Sequence, residues 1–289
     1  MGVKRASSLN VGSKRYSVIP ESKIITSDIL VVGGGAGGSS FYCSGPSQYF
    51  RATGGGGGAG GLSYVTSVPV SRGVTHTVVV GAGGSAPGSI SGTPGNGNDS
   101  FFGYSANTNI DFGTRAFGGG AGGNPRAGSI AAGATGGSGG GGGYDSQANY
   151  SYGGATGILN QGNSGAGASG GDGGGGGGAG SSANGINGGT GVSNSITGSS
   201  VTYAAGGSGG TISGDSPGVS GTASTGNGAR AAYGINSSVV STASGGSGIV
   251  VIRTPNNIPL ANTTGSPTIL YPTGYIVYKF TSSGTINFS

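Results

Sequence analysis

Consecutive glycines constrain this chain more than any other feature of its sequence. Glycine supplies 75 of the 289 residues, and much of it lies in runs at 33–38, 54–61, 81–84, 118–123, 136–143, 170–180, 206–210 and 245–248. Helices are disfavoured by such runs, because glycine loses more conformational freedom on folding than any other residue. Since only 33% of the residues are hydrophobic, backbone hydrogen bonds must supply much of the interior.

Glycine runs are compatible with a flexible spacer or with an ordered array. Disordered chains usually carry a high net charge, whereas 7% of these residues are charged and the net charge is +5. The apolar residues also cluster in islands between the runs, which favours a fold. Extended glycine segments can approach closely enough for their N–H and C=O groups to pair. The runs therefore predict a packed bundle of polyglycine-II segments, each about 25 Å long for a run of eight.

The islands between the runs are typical of short β-strands, because they are rich in Val, Ile, Tyr and Thr. A hairpin is predicted over 62–80, with Thr75, Thr77 and Val79 on one face and His76, Val78 and Val80 on the other. The predicted class is all-β, with short strands combined with the polyglycine-II bundle. Collagen is excluded, since it needs glycine at every third position. The predicted strands span 24–32, 62–68, 74–80, 200–204, 249–253, 275–281 and 285–288.

Positive charge is concentrated at the start of the chain, where five basic residues face a single acid, Glu21. A basic arm can bind nucleic acid, a membrane surface or an acidic protein. No RNA- or DNA-binding module follows it, which favours protein docking. The predicted organisation is an arm at 1–23, a glycine-rich domain at 24–254, and a linker with a C-terminal β-hairpin at 255–289. The basic residues are Lys4, Arg5, Lys14, Arg15 and Lys23.

Chemical sites are sparse in this sequence. Gly33, Gly35 and Gly38 follow a strand in the spacing of a dinucleotide fingerprint. The next residues are turn-like instead of helical, and no acid lies between Asp28 and Asp99 to hold a ribose, so nucleotide binding is not expected. Neither a secretory signal nor a membrane-spanning segment is predicted.

Catalytic residues are equally scarce. His76 is the only histidine and Cys43 the only cysteine, which excludes an intramolecular disulfide and a cysteine zinc cluster. The seven acids are dispersed, with no pair spaced as a glycosidase dyad. We expect a non-enzymatic protein with no cofactor and no metal.

Six short sequence segments, in this order and spacing, resemble the glycine-rich domain common in bacteriophage tail-fibre and other virion proteins. They are DILVVGGGAGG at 28–38, GGLSY at 60–64, THTVVVGAGG at 75–84, SNSITGSSVTYAAGG at 193–207, GGSGIVVIR at 245–253 and YKFTSSGTINF at 278–288. The resemblance spans about residues 24–289. It implies a location on the virion, at the tail or the capsid exterior. It also implies that the last segment completes a sheet near 29–32 or 249–252, within one subunit or between subunits.

Aromatic residues between the glycine runs are the best functional candidates. Loops on a rigid scaffold often carry recognition, and Tyr and Arg are favoured anchors. The alternative is that these rings seal the ends of a bundle that has no side-chain core. The candidate host-surface contacts are Tyr42, Tyr49, Phe50, Arg51, Phe102, Tyr104, Tyr144, Tyr150 and Tyr152.

Together, these features and the resemblance predict a structural virion protein, a tail-fibre or adhesin component that binds the host surface through its loops. The alternative is a purely architectural role as a capsid decoration or fibre protein or as a tail joint. Expected partners are other virion proteins, docked through Lys4, Arg5, Lys14 and Arg15, and a host receptor that is a protein or a polysaccharide. Homotrimeric assembly is implied by the resemblance alone, and neither nucleic-acid binding nor membrane insertion is expected.

Overall fold

A computed structural model of the chain describes residues 24–42, 52–89, 92–103, 114–125, 131–146, 148–213, 217–234 and 243–289. No helix occurs within these ranges, so the predicted all-β class is confirmed. The strands in them are β1 Ile24–Val32, β2 Ser40–Tyr42, β3 Ala52–Thr53, β4 Leu62–Ser71, β5 Thr75–Val79, β6 Ser100–Phe102, β7 Thr114–Ala116, β8 Tyr144–Asp145, β9 Tyr150–Ser151, β10 Val192–Asn194, β11 Val201–Tyr203, β12 Ala232–Gly234, β13 Ile249–Pro255, β14 Asn262–Thr263, β15 Thr268–Leu270, β16 Tyr275–Phe280 and β17 Gly284–Asn287.

Two five-stranded antiparallel sheets pack face to face as a sandwich. The first has the strand order β15-β16-β13-β1-β4, and the second has the order β14-β17-β5-β6-β7. Alternate residues of each strand point into the space between the sheets, as the two-residue period of a strand requires. The shared core includes Ile29, Val250, Ile252, Tyr278 and Phe280 from the first sheet, Val78, Phe102 and Ile286 from the second, and Phe288 directly after β17.

The opposite face of the first sheet is also buried. Leu30 and Val32 of β1 point to this face, where Ala59, Ile196 and Tyr203 pack against them. Burial on both faces explains why residues 29–32 of β1 and 249–252 of β13 are continuously apolar, since neither face of these parts of the strands meets solvent.

The strand β4 lies at the edge of the first sheet and carries a bulge. Its register against β1 shifts between Ser27 and Ile29, and Ser67 opposite has a φ of 58°. The Ser67 N–H donates to Asp28 Oδ1 at 3.0 Å, while Arg253 Nη2 lies 2.6 Å from Asp28 Oδ2. The bulge and the following Pro69 interrupt the free edge, a common protection against pairing with another chain.

The predicted hairpin over 62–80 is wrong, although both of its strands exist. β4 pairs with β1 in the first sheet, whereas β5 pairs with β17 and β6 in the second. The turn at Arg72 and Gly73 therefore carries the chain from one sheet to the other. The predicted alternation holds, because Val78 is buried while Thr75 and Thr77 are exposed.

The C-terminal residues belong to both sheets and are not a separate hairpin. β16 pairs with β13, with Val250 opposite Phe280, and β17 pairs with β5, with Thr285 opposite Thr77. The prediction that this segment completes a sheet beside residues 249–252 is confirmed, and the pairing occurs within one chain.

Glycine-rich segments form a hydrogen-bonded lattice at one end of the sandwich, where β1 ends and β4 begins. Along 54–61, successive N–H groups donate to three different neighbours in turn, which is the three-residue period of a polyglycine-II helix. The donor and acceptor pairs are Gly55–Gly123, Gly58–Gly120 and Gly61–Phe117 with the first neighbour, Gly56–Gly174 and Ala59–Gly177 with the second, and Gly57–Ala229 and Gly60–Gly226 with the third.

The carbonyl groups of the same segment accept hydrogen bonds from three further segments. It therefore has six neighbours, as in a hexagonal array of rods, and each is joined to it by backbone hydrogen bonds. The donor and acceptor pairs are Ser39–Gly55, Ala36–Gly58 and Gly33–Gly61 from the first of these, Gly141–Gly56 and Ser138–Ala59 from the second, and Gly207–Gly57 from the third.

Candidate functional site

The lattice has two distinct ends. At the first, which we call the sandwich end, Gly33 directly after β1 bonds to Gly61 directly before β4. At the second, which we call the loop end, the same two segments meet through Ser39 and Gly55. A series of hydrogen bonds links the segments at the loop end: Ser39–Gly55, Gly55–Gly123, Gly123–Gly141, Ala232–Ser39, Gly173–Gly210 and Gly210–Gly54.

Several connections between segments start and finish at the loop end. Gly95 bonds to Ser85 across one of them and Tyr152 bonds to Gly143 across another, so both ends of each connection lie together. Two small sheets, β12 with β2 and β3 with β8 and β9, also lie here. The described residues of the connections at this end are 40–42, 52–53, 86–89, 92–94, 124–125, 144–146, 148–151, 169–172, 211–213, 217 and 233–234.

Several of the predicted contact residues meet at the loop end. Tyr144, Tyr150 and Tyr152 belong to the β8–β9 hairpin or directly follow it. Tyr42 ends β2 at the same end, although its side chain is outside the description. Tyr49, Phe50 and Arg51 lie outside the described residues, as do Tyr104 and, in the arm, Lys4, Arg5, Lys14 and Arg15.

The prediction that Phe102 contacts a host surface is wrong. Phe102 lies in β6 at the sandwich end and is 1% exposed. Its ring stacks on His76 with 5.5 Å between ring centroids, because alternation along β5 and β6 turns both side chains toward the core. The aromatic pair at 101–102 is therefore part of a strand, a possibility that its apolar sequence already allowed.

The β8–β9 hairpin presents its tyrosines on a rigid support. Asp145 lies opposite Tyr150 and Tyr144 lies opposite Ser151, while β3 pairs with the outer side of β8. The Tyr144 hydroxyl donates to Asn149 Oδ1 at 3.3 Å. Asn149 has a φ of 46°, a turn conformation that Asn adopts more readily than most residues.

Two side chains of this hairpin were not among the predicted contacts. Asp145 is one of the seven dispersed acids of the sequence, and Asn149 lies in the turn between the strands. Their position between Tyr144 and Tyr150, in a sequence segment typical of a strand, a turn and a second strand, could have identified them.

The chain enters the described fold at the sandwich end. Ile24 pairs with Ser71, next to the turn at Arg72 and Gly73, and β1 then runs toward the lattice. Residues 1–23 are thus joined to the end of the molecule opposite the loops.

The glycine fingerprint at 33–38 cannot act as a phosphate loop in this fold. Each N–H from Gly33 to Gly38 donates to a carbonyl of a neighbouring segment at 2.9–3.2 Å, so none is available to a phosphate. Of the acids, Asp28 and Asp99 are paired with Arg253 and Arg115. Within the described ranges, no group of three or more His, Cys, Asp or Glu side chains is placed to hold a metal ion, and none of the secondary structure is a helix able to span a membrane.

A family model described as a glycine-rich domain matches residues 11–255. The chain belongs to this glycine-rich domain family. The matched residues contain the lattice and the strands β1 to β13. The strands β14 to β17 follow the matched residues and complete both sheets of the sandwich. No curated protein matches the chain.

Proposed function

We propose that this glycine-rich domain is a structural component of a bacteriophage particle, a tail-fibre or adhesin component that binds the host surface through its loop end. The observation that carries the proposal is the arrangement of the two ends. The chain enters the fold at the sandwich end through residue 24, and the loops gather at the opposite end of a hydrogen-bonded lattice. A domain that is attached to the particle at one end can present the loops of its other end to the host surface.

The lattice suits display because it leaves the loops little freedom at their bases. Segment 54–61 makes backbone hydrogen bonds to six neighbours, so bending it would break bonds on every side. Loops held on a rigid support lose less entropy when they bind than free peptides would. In this proposal the basic arm at 1–23 attaches the domain to other virion proteins, and the copies form a homo-oligomer.

The tyrosines of the β8–β9 hairpin are the contact residues that the proposal makes testable. Tyr150 is 57% exposed, so its replacement removes a surface ring without leaving a cavity. The double variant Tyr150→Ala, Tyr152→Ala should lower adsorption of the purified chain to host cells at least tenfold and leave its melting temperature within about 2 °C of the parent, as expected for surface changes.

The matched control is Tyr271→Ala, because Tyr271 is 66% exposed and precedes β16, whose first residue Tyr275 pairs with Pro255 at the outer end of the sandwich. This variant should adsorb normally. Antibody labelling of particles that carry the chain should place it on the tail in few copies. Many copies on the head, with no adsorption by the purified chain, would contradict the adhesin role and support an architectural one.

A further inference from the structure

Asparagine precedes glycine at four places in the chain, at 96–97, 184–185, 187–188 and 227–228. This dipeptide can react with itself. The backbone nitrogen of the glycine attacks the side-chain carbonyl carbon of the asparagine, and the absence of a Cβ on glycine leaves the approach open. The tertiary structure determines which of the four pairs can reach the geometry of attack.

Three conditions must be met in the folded protein. The glycine N–H must be free of an acceptor, the asparagine side-chain amide must be free to turn, and the peptide group between the two residues must be able to rotate. Each hydrogen bond on these groups has to break first, which slows the reaction. Exposed turns open at little cost, whereas buried backbone opens only when much of the fold is lost.

The pair at 227–228 meets none of these conditions. Asn227 Oδ1 accepts a hydrogen bond from the Ala205 N–H at 2.9 Å. The Gly228 N–H donates to the Ala205 carbonyl at 2.9 Å, and the Asn227 carbonyl accepts from the Gly246 N–H at 2.8 Å. Both reacting groups and the peptide between them are therefore fixed by the lattice.

The pair at 96–97 is fixed in the same way although Asn96 is exposed. Asn96 Oδ1 accepts from the Ala121 N–H at 2.8 Å. The Gly97 N–H donates to the Gly119 carbonyl at 3.0 Å. Exposure of the asparagine is therefore not sufficient for reaction, and this pair is a matched control for an exposed asparagine whose partner groups are free.

Asn184 is such a residue. Asn184 and Asn187 exchange two backbone hydrogen bonds at 3.0 and 3.1 Å, so Gly185 and Ile186 form an exposed two-residue turn in which Gly185 has a φ of 55°. A Cβ added to Gly185 would meet no atom within 4 Å. Among the residues that the structure describes, neither the Gly185 N–H nor the Asn184 side-chain amide takes part in a hydrogen bond.

The peptide group between Asn184 and Gly185 is held by one hydrogen bond, from the Asn187 N–H to the Asn184 carbonyl. Fraying of this turn is enough to let the peptide rotate. The neighbouring pair at 187–188 is more restricted, because a Cβ on Gly188 would lie 2.2 Å from the carbonyl oxygen of Gly206, which shows how closely Gly188 is packed against the lattice. We propose that Asn184 is a site of spontaneous deamidation in the folded protein.

The reaction needs only water. The Gly185 nitrogen forms a bond to the side-chain carbonyl carbon of Asn184, the bond from that carbon to the amide nitrogen breaks, and the proton of the Gly185 nitrogen leaves with ammonia. The product is a five-membered succinimide. Water opens this ring at the side-chain carbonyl to give aspartate, or at the backbone carbonyl to give isoaspartate, in which the main chain runs through the side-chain methylene group.

Both products change the surface of the molecule. Each adds one negative charge and so lowers the formal net charge of +5 by one. Isoaspartate also lengthens the main chain before Gly185, whose carbonyl accepts a hydrogen bond from the Gly175 N–H of the lattice at 2.9 Å. Because the lost ammonia is not recovered, the change accumulates as the protein ages, and it does so whether or not the chain binds a host.

The test is to incubate the purified full chain at pH 8 and to follow each asparagine by peptide mass spectrometry. Conversion raises the peptide mass by about one dalton, and electron-based fragmentation identifies isoaspartate. Asn184 should convert at least tenfold faster than Asn96 and Asn227, and faster than Asn187. The matched control is the same chain unfolded in guanidinium chloride, in which the four pairs should convert at similar rates because the hydrogen bonds that distinguish them are lost.

Asn184→Gln gives an independent check, because its longer side chain would have to close a less favourable six-membered ring. This variant should lose the conversion at position 184, keep the melting temperature of the parent, and leave conversion at Asn187 unchanged. Equal rates at Asn184, Asn96 and Asn227 in the folded chain would overturn the inference. A slower rate at Asn184 than at Asn227 would overturn it as well.

Discussion

Side chains would not fit at most positions of segment 54–61. An added Cβ at Gly55 would lie 2.0 Å from the carbonyl oxygen of Gly141, and one at Gly57 would lie 2.3 Å from that of Ala36. Ala59 is the exception, because its Cβ points into the cluster formed by Leu30 and its neighbours. Glycine is required where a position faces a neighbouring carbonyl, and alanine is accepted where the position faces side chains.

Replacing one lattice glycine should therefore destabilise the whole fold. In Gly56→Ala the new Cβ would lie 2.1 Å from the carbonyl oxygen of Gly207, so the two segments must separate. We expect a loss of about 3 kcal/mol in the free energy of unfolding, at the upper end of overpacking penalties, measured by chemical denaturation.

The matched control is Gly153→Ala, since an added Cβ there meets no atom within 4 Å. This variant should be neutral or more stable by roughly 0.4–1 kcal/mol, because alanine restricts the unfolded chain. Equal stability of the two variants would show that close packing of the lattice does not hold the fold together.

Two buried tyrosines make stability depend on alkaline pH. Burial raises the pKa of Tyr278 and of Tyr203 above the ordinary value of 10.0. The folded state thus favours the neutral phenol, and the stabilisation is complete below pH 10 and is lost as the pH rises through the higher pKa of the folded state. We expect the free energy of unfolding to fall steadily above pH 10.

Tyr278→Phe should flatten this alkaline decline. At neutral pH it should cost about 1–3 kcal/mol, because the backbone N–H of Ala261, which donates to the Tyr278 hydroxyl at 2.9 Å, would be left unpaired. Denaturation curves from pH 7 to pH 11 test both effects, and an unchanged pH slope in the variant would contradict the assignment.

At the scale of elements, β1 joins two kinds of interior. It is hydrogen-bonded to β13 on one side and β4 on the other, and its side chains from Ile29 to Val32 are buried on both faces. After Val32 the chain continues into segment 33–38, where the N–H groups reach three neighbours in turn. The change from two to three hydrogen-bonding directions coincides with the change from valine to glycine, because only glycine leaves room for the additional neighbours.

Hydrogen exchange should distinguish the lattice from a flexible spacer. The amides of 55–61 are all bonded to backbone carbonyls of neighbouring segments, so they should exchange as slowly as those of β1. The amides of Gly170 and Gly185 lie at exposed turns and should exchange rapidly. Uniformly fast exchange across 55–61, measured by mass spectrometry or NMR, would contradict the hydrogen-bonded lattice.

At the scale of the molecule, the C-terminal strands hold the sandwich together. β16 contributes Tyr278 and Phe280 to the core, and β17 together with the residue after it contributes Ile286 and Phe288. Because these strands pair with different sheets, the segment from 275 to 289 connects both layers. Lattice segment 33–38 continues directly from β1, which pairs with β13, and β13 pairs with β16. The support of the lattice therefore depends on the same strands.

A chain truncated after Pro272 should therefore fail to unfold cooperatively. Calorimetry of the truncated chain should show no unfolding transition with the enthalpy of the full chain, since both sheets lose a strand and the shared core is opened. A synthetic peptide of residues 273–289 should restore part of the transition, because strands pair through the backbone without a covalent link. A truncated chain with the parent melting temperature would show that the sandwich does not need these strands.

Local sequence was sufficient where short-range chemistry decides the conformation. All seven predicted strands occur, within three residues at each boundary, because β-branched and aromatic residues between glycine runs favour extended backbone. Local sequence did not predict which strands pair with one another, as the hairpin over 62–80 shows. The connection has hairpin length, but β4 pairs with β1 and β5 pairs with β17 and β6, all distant in sequence. Phe102 could not be placed for the same reason, because burial depends on the sheet that covers it.

The sequence by itself determined that this protein is all-β and that its glycine runs pack through backbone groups, since absent side chains permit no other dense interior. Only the tertiary structure decided which segments are neighbours, which end carries the loops, and that Tyr144 and Tyr150 lie in one hairpin while Phe102 is buried. The reason is physical: a glycine segment carries no side chain to specify its partner, so its neighbours are selected by the strands and turns at its ends.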